Sequence, residues 1–109
     1  MEREAQPGPA AYESVLREIN EAIQRGQWPG EENEPVGFRC ECGRLGCNEL
    51  LELTTAAYQR IRKYSRRFLV APGHEQPSVE SVVAAGPGYV VVEKRGQAAA
   101  WAEETDPRR

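Results

Sequence analysis

All three cysteines of the chain fall in one short stretch, Phe38-Arg39-Cys40-Glu41-Cys42-Gly43-Arg44-Leu45-Gly46-Cys47. Three thiols cannot all pair inside one monomer, so this C-x-C-x4-C spacing leaves metal binding, redox sensing or simple burial as their uses. The choice bears on the fold as much as on the chemistry. A chain of 109 residues holds one small domain with a modest core, which a metal clip between distant segments would reinforce.

The only histidine, His74, sits in a Pro72-Gly73-His74-Glu75 turn well downstream of the cysteines. Structural zinc is tetrahedral, and three thiolates with one imidazole form one of its common ligand sets. Cys40, Cys42, Cys47 and His74 complete that set with no cysteine or histidine left over. Gly43 and Gly46 allow the tight turns by which backbone donors can face a thiolate cluster. Arg39 and Arg44 would offset the negative charge left by three thiolates on one Zn2+, and the Pro-Gly turn would present His74 from a fixed backbone. Glu75 could support the ligands or serve as a base, and Glu41 has the same two uses, although solvent-facing polarity is the plainer reading of both acids.

Four protein ligands close a tetrahedron, whereas catalytic zinc keeps one position for water. The expected metal is therefore one structural Zn2+ per chain, and no catalytic residue is assigned. Neither the dithiol C-x-x-C, the usual iron–sulfur spacings nor the deaminase pattern H-x-E with P-C-x-x-C is present. Burial of three thiols beside a loop histidine remains the alternative to metal.

Regular structure surrounds this loop. Residues 1–10 read as a loose leader and residues 11–26 as an amphipathic helix, with Tyr12, Val15, Leu16, Ile19 and Ile23 on one face and Glu13, Arg17, Glu18, Glu21 and Arg25 largely on the other. That apolar face is expected to pack within its own protomer, with a helix-mediated homodimer or another protein as the alternatives. Residues 27–35, interrupted by Pro29 and Pro35, read as a linker from which Trp28 anchors back onto the domain.

A compact α+β domain is expected over residues 36–105. Its short antiparallel strand candidates are 36–40, 49–53, 67–70, 79–83 and 89–94, the last two joined by a turn-rich AAGPG. A helix capped by Thr54 buries Ala57, Tyr58, Ile61 and Tyr64, and QAAAWAEE forms a short helix docked by Trp101. Residues 106–109 read as a polar tail. The fold class is a small mixed α+β domain with one or two core helices, the N-terminal helix and a zinc-binding loop.

Arg60, Arg62, Lys63, Arg66 and Arg67 form the single basic cluster, with Arg60, Lys63 and Arg67 on one side of an extended helix. An acidic partner could use this face; a solvated surface is the plainer reading. With a net charge of -3, the chain lacks the basic footprint of a nucleic-acid binder. No apolar run is long enough for a membrane span, and MEREAQPGPA is unlike a signal peptide, so a cytoplasmic location is expected.

The combination FRCECGRLGC, LTTAAYQRIRKYSRRFLVAPGHE, VESVV, YVVVEKRG and the terminal TDPR, with REINEAIQ ahead of it, resembles a family of small, largely uncharacterised actinobacterial proteins. The resemblance runs from about Tyr12 to Arg108. It implies that the cysteine loop, Tyr58, Arg62, Arg67 and PGHE belong to one shared unit, and it brings no activity with it. Gly43-Arg44-Leu45-Gly46 replaces a commoner acidic or proline-containing loop, which makes the surroundings of the ligands more basic.

The leading functional expectation is a non-enzymatic zinc-binding module acting through protein contacts, in regulation or interaction. A thiol/zinc redox sensor and a small metal-dependent hydrolase are the alternatives. A nucleic-acid or membrane role is not expected.

Overall fold

A computed structural model describes residues 9–108. The expected leader lies outside the described residues up to position 8, and Arg109 of the expected tail lies outside them as well. The elements run α1 (Pro9–Arg25), β1 (Pro35–Arg39), β2 (Leu50–Thr54), α2 (Thr55–Arg62), β3 (Arg67–Val70), β4 (Glu80–Gly86), β5 (Tyr89–Lys94) and α3 (Gly96–Glu104). The protein is a small α+β domain built on two antiparallel sheets, β1-β2 and β3-β5-β4.

The strands follow the patterns that announce them. In β2 only Leu51 and Leu53 turn inward, the alternation of a half-buried strand. The apolar run Phe68-Leu69-Val70 in β3 is buried throughout and pairs with Val92, Val91 and Val90 of the central strand β5. β4 is an edge strand among the described residues, with a register irregularity between Val82 and Ala84. Thr54 caps α2 as its sequence predicts, its hydroxyl accepting from the Ala57 N–H at 3.0 Å.

One core joins both sheets. Phe38 stacks on Tyr58 with ring centroids 4.5 Å apart, and Leu51, Leu53, Ile61, Leu69 and Val92 close around them with Cys40 and Cys42. Among the described residues no helix is long and apolar enough to cross a membrane.

The first helix packs against expectation. Its buried face carries Glu13, Arg17, Asn20 and Glu21 with Leu16, while Val15 and Ile19 are 49% and 38% exposed. Burying polar side chains is costly unless each finds a partner, and here distant segments supply the partners. Glu13 pairs with Lys94 at 2.8 Å. Arg17 donates to the Ser65 and Ala102 carbonyls, each at 2.7 Å, and lies over the Phe68 ring. Asn20 holds both the N–H and the carbonyl of Arg39, and Glu21 pairs with Arg62 at 2.8 Å. Polar specificity, rather than the apolar stripe, decides which side of α1 faces the domain.

Three further expectations are corrected. Trp28 does not anchor the linker: it is 74% exposed. Tyr64 is also exposed, because α2 ends at Arg62 and the chain turns before β3. Arg67 therefore stands in β3, so Arg60, Lys63 and Arg67 do not share a helix face.

Candidate metal centre

The cysteine loop is delivered by β1 and closed by β2. The Cys40 N–H donates to the Glu49 carbonyl at 3.1 Å and the Cys47 N–H to the Arg44 carbonyl at 3.2 Å, which folds the loop back on itself. Gly43 and Gly46 make this possible, since their φ angles of 76° and 84° lie in the left-handed region that other residues rarely adopt. Leu45, at the tip between them, is 90% exposed. The opposite half of the site is the turn after β3, where the His74 N–H donates to the Ala71 carbonyl at 2.9 Å.

These segments bring together the four residues that the sequence singles out. One donor atom from each of Cys40, Cys42, Cys47 and His74 lies within 4.8 Å of all the others. The Cys40 and Cys47 sulfurs are each 3.6 Å from His74 Nδ1. For zinc bonds of about 2.3 Å to sulfur and about 2.0 to 2.1 Å to nitrogen, a tetrahedron has sulfur-to-nitrogen edges of about 3.6 Å. The donor set and these two sulfur-to-nitrogen edges match a tetrahedral metal, and the protein carries a cluster of three cysteines and one histidine capable of coordinating one.

Backbone donors complete the cradle. The Ala71 N–H points at Cys40 Sγ at 3.1 Å and the Arg44 N–H at Cys42 Sγ at 3.4 Å, contacts that favour thiolate over thiol. Burial opposes them: it pushes the Cys40 thiol up to about 12, and it raises that of Cys42 too. Charge from a bound cation would reverse that balance.

The neighbouring charged residues divide by role. Arg44 reaches from the cysteine loop to the Gly73 carbonyl at 3.2 Å, joining the two halves of the site. Glu75 accepts from the Gly73 N–H at 2.9 Å and so stiffens the histidine turn. Arg39 is engaged through its backbone, which Asn20 holds at both the N–H and the carbonyl. Glu41 turns away from the sulfurs into the core, where it accepts from Tyr58 Oη at 2.6 Å, Asn20 Nδ2 at 2.8 Å and the Leu69 N–H at 2.8 Å. Burial raises its carboxyl, against the pull of those three donors.

The basic cluster is dispersed. Arg62 is buried between Glu21 and Asp106, inaccessible to any partner. Arg66 pairs with Glu103 at 2.7 Å and Arg67 with Glu93 at 2.9 Å, which neutralises both, leaving Arg60 and Lys63 on the surface. Asn20 and the buried group Glu13, Glu80 and Lys94 are the residues the sequence reading misses. Their only sequence trace is polarity at positions that helix or strand spacing aligns. No protein-family model matches the chain, and no curated protein or solved structure matches it either.

Proposed function

We propose that this protein is a non-enzymatic zinc-binding module whose single Zn2+ is structural, held by Cys40, Cys42, Cys47 and His74, and that it acts through protein contacts. The observation that carries the reading is the pair of 3.6 Å sulfur-to-imidazole distances, the edge length of a tetrahedral zinc site. The metal would join the β1–β2 loop to the turn after β3 and so tie the two sheets together at one end. Both acids weighed as bases are otherwise engaged, Glu75 by the Gly73 N–H and Glu41 by Tyr58, Asn20 and Leu69. This favours a structural metal over a hydrolytic one.

Elemental analysis of protein purified under reducing conditions, with X-ray absorption at the metal edge, tests it. One zinc per chain with three sulfurs and one nitrogen is expected, and Cys47→Ser or His74→Ala should release the metal to a chelator much faster. A metal-free protein, or a metal bound by three residues and a water, would overturn the structural reading.

A redox-sensing role is the second reading, favoured by one asymmetry: Cys47 is half-buried whereas Cys40 and Cys42 are buried. An oxidant would meet Cys47 first. Zinc release by peroxide with a measured change in partner binding supports that role, and oxidation without either counts against it.

A further inference from the structure

With its polar side turned inward, α1 presents an apolar stripe to solvent. Tyr12, Val15, Ile19, Ala22 and Gly26 follow one another at steps of three, four, three and four, the spacing of a coiled-coil seam. At about 100° per residue the stripe centres on the side of the helix opposite Arg17, with Asn20 well round towards that side and Leu16 at the flank of the stripe. Val15, Ile19 and Ala22 are exposed and Tyr12 is half-buried. The protomer therefore leaves the centre of this seam open to solvent, while it buries Glu13, Leu16, Arg17, Asn20 and Glu21 of the same helix.

We propose that the outer face of α1 is a self-association surface on which a second copy of this chain packs, with the two helices antiparallel. Charge decides both occupant and direction. Glu18 and Arg25 are exposed, lie on the same flank of the seam one heptad apart, and have no ion-pair partner among the described residues. Around a two-fold axis, antiparallel pairing sets Ile19 against Ala22 of the second copy and Glu18 against its Arg25, and symmetry makes that ion pair twice. Parallel pairing instead sets Glu18 against Ile23 and pairs no charge. The seam is thus complementary to itself in one direction only. Its small residues, Ala22 and Gly26, let two helix backbones approach closely.

A helix of 17 residues is about 25 Å long, which places the contact below the total of about 1,200 Å2 at which stable complexes begin. The dimer is accordingly expected to be reversible. It goes beyond the zinc reading and does not depend on it, so zinc content is measured alongside association in every variant.

Sedimentation equilibrium of the reduced full chain as purified, with its zinc content measured, tests the proposal. The wild type should dimerise; Ile19→Glu, or Ala22→Glu should the first variant fold poorly, should weaken association by more than about tenfold with unchanged helix content. Glu18→Arg and Arg25→Glu should each weaken it, while the double reversal should restore it. A chain that stays monomeric at about 1 mM, near the weakest affinity of interest, overturns the proposal. So does a dimer insensitive to Ile19→Glu and Ala22→Glu. Single reversals without effect, or a double reversal that fails to restore association, overturn the antiparallel arrangement that the proposal asserts.

Discussion

Lys94 is shared by two buried carboxylates, Glu13 at 2.8 Å and Glu80, leaving an excess negative charge inside the domain. Burial raises the Glu13 carboxyl to about 7 despite the attraction of Lys94, with Glu80 and Glu41 adding to the rise. A carboxyl raised on folding contributes stability that is complete below its ordinary value of 4.5 and is lost as pH climbs through about 7. Glu13→Gln keeps the shape and removes the charge, so relative to wild type it should gain stability between pH 5 and pH 8, on the order of 1 kcal/mol. Urea unfolding of both proteins across that range checks this, and the difference between them cancels any effect of metal release. Parallel curves would rule it out. Burial raises the Glu41 carboxyl in the same direction, although three donors converge on it. Tyr58→Phe removes the 2.6 Å donor and leaves a buried acceptor short of a partner, which should cost about 1 to 3 kcal/mol.

At the scale of elements, α1 and the candidate metal centre are mechanically linked. Asn20 grips the Arg39 backbone and Glu41, the residue between two of the cysteines, while Glu41 also binds α2 through Tyr58 and β3 through Leu69. Removing a metal bound at that centre should therefore loosen more than the loop. With a chelator, amide exchange is expected to accelerate at residues 39–47 and 71–75 and around Asn20 in α1, while the β3-β5 pairing stays protected. Uniform acceleration, or none in α1, would show that the link does not transmit. The strands at 67–70 and 89–94 and the Thr54 cap were legible because each follows from local spacing or a single hydrogen bond. The facing of α1 was not, since hydrophobic periodicity reports which side is apolar and not which side finds partners.

Over the whole molecule, the last described residues return to the first helix. Arg62 lies between Glu21 of α1 and Asp106, and Arg108 adds a second bond to Glu21 at 2.6 Å. Hydrogen bonds from Arg108 and Arg62 outweigh the effect of burial on Glu21 and hold its carboxyl below the usual range. Residues read from sequence as a polar tail thus complete an ion network between the two ends. Asp106→Ala leaves part of a buried guanidinium unpaired and should cost about 3 kcal/mol, with a fall in melting temperature of about 4 to 8 °C per kcal/mol. The loss should persist in high salt, because buried pairs are poorly screened. Glu103→Ala breaks an exposed pair and should cost less than about 1 kcal/mol. Calorimetry at two ionic strengths separates the two cases.

The sequence by itself determined the α+β class, most strand positions and the four residues of the cysteine–histidine cluster. These depend on local periodicity, on turn residues, or on a ligand count that only one histidine can complete. The tertiary structure alone decided that α1 buries its polar side, that Glu41 faces the core rather than the cluster, and that Arg62 is an internal ion-pair partner. Each of those outcomes requires a partner far along the chain, such as Lys94 for Glu13 or Asp106 for Arg62. A side chain's polarity states that it needs a partner; only the folded chain supplies one.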